Sequence, residues 1–175
     1  MILLTGAAGF IGSQMLAFLN AKGRTDIAIV DKFEGMAAAK EQNLVGLRYQ
    51  HRVEREQLFS FLLREGDGID FVLHLGARTD TMETDATIFE QLNFNYTQSL
   101  FLWAAQQQVP IIYASSAATY GAGERGYSDQ TNPADLRPLN AYAQSKNEID
   151  IWVKWLSNMP PEEQEMPPFW AGLKF

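Results

Sequence analysis

Short runs of consecutive apolar residues alternate along this chain with segments whose apolar residues have helical spacing. The apolar runs predict strands at Ile2–Thr5, Ile27–Val30, Leu44–Tyr49, Ile69–Leu75, Val109–Ala114 and Phe169–Phe175. The helical spacing predicts helices at Phe10–Leu19, through Leu58, Phe61 and Leu62, at Thr87–Gln107 and at Ala141–Leu156. Strands that are apolar on successive residues are buried on both faces, which is typical of a parallel sheet between two layers of helices. The pattern therefore predicts an α/β fold with a doubly wound parallel sheet.

Composition narrows the class of protein without changing this picture. The formal net charge of −7 argues against non-specific binding to nucleic acid or to an anionic membrane, because both require basic patches. The absence of cysteine excludes a disulfide framework, a thiolate nucleophile and a cysteine-based zinc site, and no metal site is predicted. No apolar run reaches the ~18 residues of a membrane span, and the first residues lack the basic segment of a signal peptide. These features favour a cytoplasmic location.

A glycine-rich loop joins the first predicted strand to the first predicted helix. Its sequence, TGAAGFIG, places Gly6, Gly9 and Gly12 at intervals of three residues. In dinucleotide-binding sheets such glycines allow a tight turn, a close approach of the pyrophosphate and close packing of helix on sheet, and the helix N-terminus faces the phosphates. The alternative is a strand–turn–helix without a ligand, but this loop has the flanking strand and helix that the dinucleotide mechanism requires. We therefore predict a Rossmann-like dinucleotide-binding domain.

The second predicted strand ends at Asp31, about 20 residues after the glycines, where an acidic residue usually holds the adenosine ribose. Asp31 favours a free ribose 2′-hydroxyl, as in NAD. Lys32 and Lys40 follow it, and a lysine there could bind the 2′-phosphate of NADP instead. Both lysines are equally well explained as solvated surface charges. From the residues alone, the choice between NAD and NADP stays open.

A serine, a tyrosine and a lysine are predicted to lie at the ligand-binding edge of the sheet. Ser115 and Ser116 end the fifth strand, and the following helix carries Tyr142 and Lys146 four residues apart, on one face. Oxidation of an alcohol requires a base, and tyrosine, with an ordinary pKa near ~10, is a poor one unless a cation favours its phenolate. Each of these residues also has a purely structural explanation: a packing aromatic, a solvated charge, a turn serine. Together, behind the glycine loop, they favour catalysis of hydride transfer.

The motifs TGAAGFIG, HLGA (His74–Ala77), NFNYT around Asn93, SSAATYG and YAQSK resemble the extended short-chain dehydrogenase/reductases of the nucleotide-sugar epimerase and dehydratase group. They occur in that family's order over almost the whole chain. The resemblance implies NADP, with Lys40 near its 2′-phosphate, a nucleotide-sugar substrate, a homo-oligomer, and Ser116, Tyr142 and Lys146 as the catalytic set. It implies cofactor contacts at Gly6, Gly9, Phe10, Ile11, Gly12, Asp31, Lys32, Lys40, Leu75, Gly76, Ala77, Asn93, Tyr142 and Lys146, and substrate contacts at Thr79, Asp80, Thr81 and Ser116.

The resemblance also bears on the reaction. Family members that dehydrate carry an Asp-Glu pair after the serine, whereas this chain has Ala117 and Ala118, which cannot move protons. Epimerisation by oxidation and re-reduction is therefore the leading hypothesis. A net reductase or dehydrogenase acting on a nucleotide sugar is an alternative, and so is a non-catalytic dinucleotide-binding module. His74 is expected to be a buried histidine at a strand end, bonded to backbone, and His51 stands where the family commonly has an acid that contacts adenine.

The end of the chain departs from the family pattern. After the proline- and glutamate-rich segment Met159–Pro168, predicted to be an exposed loop, the sequence stops at Phe175 inside an apolar, strand-like run. We interpret residues 1–175 as a dinucleotide-binding domain that ends within or near its sixth strand, without the C-terminal substrate domain. On this interpretation the 175-residue chain alone should not epimerise a nucleotide sugar.

Overall fold

The computed structural model describes all residues 1–175. Strands and helices alternate along the chain, joined by short 3₁₀ turns. The strands are β1 (Ile2–Thr5), β2 (Ile27–Asp31), β3 (His51–Glu54), β4 (Phe71–His74), β5 (Ile111–Ser115) and β6 (Trp170–Lys174). The helices are α1 (Phe10–Ala21), α2 (Ala38–Glu41), α3 (Leu58–Glu65), α4 (Ala86–Phe89), α5 (Tyr96–Gln106) and α6 (Ala141–Ser157).

The six strands form one sheet in the order β3-β2-β1-β4-β5-β6. The chain winds outward from β1 in both directions, which is the strand order of a doubly wound, Rossmann-like sheet. β1 pairs in parallel with β2 and with β4, so that Thr5 lies opposite Val30 on one side and His74 on the other. The predicted fold class is confirmed. In this topology the point where the winding direction changes, between β1 and β4, is where ligands bind beyond the carboxyl ends of the strands.

Burial follows the position of each strand in the sheet. All residues of β1 and β2 are buried, in agreement with their uninterrupted apolar sequences. β6 is an edge strand and is only half-buried, with Leu173 at 43% exposure. The apolar sequence Phe169–Phe175 thus forms the predicted strand, but not a buried one.

The third strand lies later in the chain than predicted. The apolar run Leu44–Tyr49 does not form a strand: Leu44 ends a short 3₁₀ turn, and the strand is β3, of which only Val53 is buried. β3 is the other edge of the sheet, where a strand needs fewer apolar residues. Its sequence therefore lacks the apolar run by which the other strands were predicted. His51 consequently begins β3, whereas the acidic residue Glu54 ends it.

The long helix predicted over Thr87–Gln107 is interrupted. Asp85 accepts a hydrogen bond from the Thr87 N–H and caps α4, and Glu90–Asn95 then forms a π-helical segment before α5 begins. A π-helical segment changes which residues face inward, and such segments occur often at functional sites. Here it coincides with the fully buried side chain of Asn93.

The fold separates into two compact units. The first consists of residues 1–76 with 109–111 and contains the glycine loop. The second consists of residues 77–108 with 112–175 and contains the serine, tyrosine and lysine predicted to be catalytic. No helix in the structure combines the length and the hydrophobicity that a membrane span requires.

Candidate active site

The glycine loop of the first unit is packed so closely that side chains would not fit. Gly6 has a φ of +68°, and a Cβ on it would lie 2.7 Å from the Cα of Gly76. A Cβ on Gly12 would lie 2.1 Å from the Gly6 carbonyl oxygen. Gly6 therefore allows the turn after β1 to meet the turn after β4, and Gly12 allows α1 to approach the loop. The loop has the geometry that a dinucleotide cradle requires.

No side chain caps the backbone N–H groups in the first turn of α1. Gly9 is the N-cap residue and provides no side-chain cap, and the first turn contains no acidic residue. The Phe10 ring is 82% exposed and so does not cover the helix end. The free N–H groups and the positive end of the helix dipole suit a phosphate group. Phe10 and Ile11 lie in this first turn, and their contact with a cofactor stays a prediction.

Asp31, at the end of β2, is held by three donors. Its Oδ2 accepts a hydrogen bond from the Ala8 N–H at 2.9 Å, and its Oδ1 accepts from the Lys32 N–H at 2.8 Å. The Lys40 ammonium also lies 2.7 Å from Oδ1. Lys32 points elsewhere, to Glu56 at 3.8 Å, in a pair that is half-exposed. Of the two lysines, Lys40 is the one that faces the predicted ribose-binding carboxylate.

Arg52, on β3, was not identified as a candidate site residue from the sequence. The Arg52 guanidinium lies 4.1 Å from the centre of the Phe33 ring and forms two hydrogen bonds, at 2.7 and 2.9 Å, with the carboxylate of Glu41. Glu54 in turn accepts hydrogen bonds from the backbone N–H of Phe33. These residues surround the turn after β2. They come from separate segments with no common periodicity, so only the folded chain brings them together.

The end of β4 is tied to the end of β1. His74 is 1% exposed and its Nδ1 lies 2.6 Å from the Thr5 hydroxyl oxygen, which also accepts a hydrogen bond from the Gly76 N–H at 3.0 Å. The Leu75 N–H donates to the Thr5 carbonyl at 3.3 Å. His74 is therefore the buried histidine at a strand end that was predicted, and the Thr5 hydroxyl group is one of its partners. Leu75 and Gly76 follow at the binding edge of the sheet.

In the second unit, Ser116 begins a 3₁₀ turn directly after β5. Its hydroxyl oxygen accepts a hydrogen bond from the Ala118 N–H at 3.2 Å, and its side chain is 7% exposed. Helix α6 packs against this turn. The two serines differ, because Ser115 donates a hydrogen bond to Asp150 at 2.6 Å and so faces the helix. Ser116 makes no such bond to Asp150, and its predicted catalytic role stays a prediction.

Tyr142 and Lys146 occupy successive turns of α6. The helix begins where Asn140 caps it by accepting a hydrogen bond from the Ala143 N–H at 2.8 Å. The half-buried Tyr142 ring packs edge-on against Phe89, with centroids 6.4 Å apart. Lys146 is 1% exposed, and burial lowers the pKa of its ammonium to about 8. A lysine buried at such a cost is unlike a solvated helix charge and is typical of a functional site.

Asn93 connects the segment after β4 to α6. Its amide oxygen accepts from the Arg78 N–H at 2.8 Å, and its amide nitrogen donates to the Arg78 carbonyl at 3.0 Å and to the Ser145 hydroxyl oxygen at 3.0 Å. Ser145 donates to the Tyr142 carbonyl at 2.7 Å. Asn93 thus links two segments of the second unit, whereas its predicted contact with the cofactor stays a prediction. Ser145 is a residue that the sequence analysis did not identify.

Replacing Asn93 by Ala should lower the free energy of unfolding by about 3 kcal/mol, because fully buried partners would lose their hydrogen bonds. Asn20 provides a matched control: it also accepts one backbone hydrogen bond and donates two, but it is only half-buried. Asn20→Ala should cost about 1 kcal/mol, since water can replace its bonds. Urea unfolding of both variants measures the difference, and equal costs would contradict it.

The predicted substrate segment lies after Ala77 and is exposed. Thr79, Asp80 and Thr81 are all exposed, and the Asp80 carboxylate pairs with the Arg78 guanidinium at 3.0 Å. The Asp80 carboxylate also accepts a hydrogen bond from the Met82 N–H at 3.0 Å. The accessibility of the three side chains is compatible with a substrate contact, which stays a prediction.

The chain matches one protein family over most of its length. A sequence profile of the NAD dependent epimerase/dehydratase family matches residues 2–159. Over its whole length the chain is 40% identical to an ADP-L-glycero-D-manno-heptose-6-epimerase of Fusobacterium nucleatum, of which it covers 52%. Over 87% of its length it is 40% identical to the protein of the same name in Nitratidesulfovibrio vulgaris, of which it covers 48%. The chain spans about half the length of the relatives it matches.

Solved structures have the same fold. The ADP-L-glycero-D-manno-heptose-6-epimerase of Helicobacter pylori aligns with a TM-score of 0.75 and 25% identity, over 90% of this chain and 50% of that protein. A UDP-glucose 4-epimerase of Thermus thermophilus, solved in complex with NAD, aligns with a TM-score of 0.74 over 99% of this chain and 54% of that one. The second is 22% identical, and at that level the likeness shows the fold alone.

Proposed function

This chain belongs to the NAD dependent epimerase/dehydratase family, and from that premise we propose that it is the cofactor-binding portion of a nucleotide-sugar epimerase. The substrate that we propose is an ADP-glycero-manno-heptose, epimerised at carbon 6, as the names of the relatives at 40% identity suggest. Such a sugar would serve the synthesis of the lipopolysaccharide core. The observation that carries the proposal is Tyr142 beside the buried Lys146, on the helix that packs against the turn after Ser116.

The side chains of the second unit suit reversible oxidation of a hydroxyl group. The Lys146 ammonium, one helical turn from Tyr142, favours the phenolate that takes the hydroxyl proton. Ser116 would hydrogen-bond the same oxygen and orient it. A nicotinamide cofactor, when bound, would supply reversible hydride transfer at the carbon atom that carries this hydroxyl group. If the ketone is re-reduced on its opposite face, with Tyr142 giving the proton back, the configuration inverts and the cofactor ends unchanged.

The turn after Ser116 disfavours elimination of water. Dehydration needs one group to remove a carbon-bound proton and another to protonate the leaving hydroxyl. Ala117 and Ala118 occupy this turn and can do neither. Oxidation and re-reduction at a single carbon atom need no such pair.

The glycine loop and the end of β2 fit a nicotinamide dinucleotide. The space at Gly6 and Gly12 that a Cβ would fill, the uncapped first turn of α1 and Asp31 together match the pyrophosphate and ribose sites of such folds. We propose NADP rather than NAD, because Lys40 offsets the charge of Asp31 and provides an ammonium for a 2′-phosphate.

Replacing Lys40 by Met should weaken NADP binding about tenfold or more, since one charge-assisted hydrogen bond is lost and Asp31 is left to repel the phosphate. NAD binding should be unchanged or tighter. Lys32→Met is the control, because that lysine points to Glu56 and should have little effect on either cofactor. Calorimetric titration of this chain with both dinucleotides measures the ratio. A variant that keeps the original preference would refute the role of Lys40.

The reaction is tested on the whole protein, with ADP-heptose and catalytic NADP. Epimerisation without net change in nicotinamide absorbance is the expected result. Stoichiometric consumption of NADPH would indicate the reductase, and dinucleotide binding without turnover would indicate a non-catalytic module. The chain of 175 residues, assayed alone, should bind cofactor without epimerising.

A homo-oligomer and a cytoplasmic location stay predictions. A groove of about 700 Å³ beside α6 has an apolar lining that includes Phe89, Trp152 and the 57% exposed Trp155. An exposed tryptophan can serve a subunit interface, whereas a packed one serves the core. Phe101 packs against Trp152 with ring centroids 5.5 Å apart, so Trp152 contributes to the core in any case.

A further inference from the structure

One helical turn after Lys146, α6 carries a buried carboxylate that the proposed reaction does not use. Asp150 is 8% exposed and accepts hydrogen bonds from the hydroxyl groups of Tyr113 at 3.0 Å and Ser115 at 2.6 Å. The Lys174 ammonium lies 2.7 Å from the same oxygen as Ser115. Three donors converge on this carboxylate and offset the cost of burying it.

Lys174 joins β6 to the turn that begins at Ser116. Its ammonium donates a hydrogen bond to the Thr119 hydroxyl oxygen at 2.7 Å and lies 5.0 Å from the centre of the Tyr120 ring. Thr119 in turn donates to the Ser116 carbonyl at 2.8 Å. A continuous set of contacts thus runs from Asp150 through Lys174 to the backbone of the serine.

We propose that Asp150 is a positioning residue for the Tyr142–Lys146 pair, and that Lys174 sets how much of the negative charge of Asp150 reaches Lys146. The consequence for catalysis rests on the proposed function, because only a reaction that uses a phenolate needs the cation. The charge coupling itself is a property of the second unit and needs no cofactor.

The electrostatic surroundings of Lys146 support this inference. Tyr142 and Asp150 lie one turn before and one turn after it on α6, whereas Tyr113 on β5 and Lys174 on β6 face Asp150. Burial lowers the pKa of Lys146 to about 8, and the negative charge of Asp150 acts in the opposite direction. Lys146 is therefore mainly protonated only below about pH 8. Without the charge of Asp150, it would lose its proton at a lower pH.

Removing the charge of Asp150 and removing the charge of Lys174 should shift the titration midpoint of Lys146 in opposite directions. Asp150→Asn keeps the shape and removes the negative charge, so the midpoint of Lys146 titration should fall by about 1 pH unit. Lys174→Met removes the compensating positive charge, so Asp150 should act more strongly and the midpoint should rise. Loosening of the site, by contrast, would expose Lys146 and raise the midpoint in both variants.

The titration is followed by the Cε chemical shift of Lys146 in this chain labelled with ¹³C-lysine, and Lys146→Arg identifies the signal. Lys154→Met, on the exposed face of α6 two turns further on, is the matched control and should leave the midpoint unchanged. Near-ultraviolet circular dichroism reports whether each variant keeps its packing.

A fall in Asp150→Asn with a rise in Lys174→Met is the expected result. A rise or no change in folded Asp150→Asn overturns the proposal. If that variant does not fold, Lys174→Met decides alone, and a fall or no change in its midpoint overturns the proposal. The titration uses neither cofactor nor sugar, so its result does not depend on the proposed function. Failure of dinucleotide binding would refute the proposed function and leave the titration result intact. An unexpected titration result would overturn the role of Asp150 and leave the proposed function intact.

Discussion

Replacing Tyr142 by Phe should lower epimerase turnover in the whole protein by about 10³-fold, the range expected for loss of a general base. The phenyl ring can keep its edge-on contact with Phe89, so the fold should not change. Cofactor affinity should remain within about twofold, because the phosphates and the adenosine are bound elsewhere, by the glycine loop and the end of β2. Turnover is measured by the change in the ratio of the two heptose epimers, and affinity by calorimetry.

Tyr127→Phe is the matched control for this experiment. It removes the same hydroxyl group from an exposed tyrosine whose ring packs on Tyr120, a contact that phenylalanine retains. Its turnover should equal that of the unchanged protein. Full activity of the Tyr142 variant would rule out Tyr142 as the base, and a loss of cofactor binding would mean that its hydroxyl group contributes to holding the cofactor.

Replacing Gly12 by Ala should abolish dinucleotide binding, although helix propensity alone favours alanine by about 1 kcal/mol. The new Cβ would lie 2.1 Å from the Gly6 carbonyl oxygen, so α1 must move away from the loop. Such overpacking should lower the free energy of unfolding by about 3 kcal/mol and the affinity for NADP at least about 100-fold. Urea unfolding and calorimetric titration of this chain measure the two effects.

Gly68→Ala is the matched control, because it makes the same substitution at a position where the new Cβ meets no close neighbour. Gly68 has a negative φ, and a Cβ there would have its nearest neighbour 4.0 Å away, at the Met1 side chain. Stability should change by no more than about 0.5 kcal/mol and affinity not at all. If Gly12→Ala behaved like this control, α1 would not need the close approach that the structure shows.

The features that the sequence analysis predicted correctly are local in the chain. The spacing of Gly6 and Gly12 fixes a turn before a helix, and the i, i+4 spacing of Tyr142 and Lys146 places both on one helical face. The family resemblance, stated from short motifs, is confirmed by the match over residues 2–159. The roles of the individual site residues stay predictions.

The edge strand β3 and the π-helical segment Glu90–Asn95 show where local pattern fails. An edge strand needs few buried residues, so its sequence carries little hydrophobic signal. The π-helical segment lies within an otherwise helical pattern of apolar residues, so the pattern does not reveal it. Its buried residue Asn93 bonds to Ser145, which is 52 residues away in the chain.

The sequence by itself determined the strand–helix alternation, the glycine loop and the Tyr142–Lys146 spacing, because each depends on bond geometry and periodicity within a few residues. Only the tertiary structure decided which lysine faces Asp31, how deeply Lys146 is buried, and that Lys174 pairs with Asp150, 24 residues away. A charge acts through its distance and burial in space, and neither quantity is encoded in any short stretch of chain.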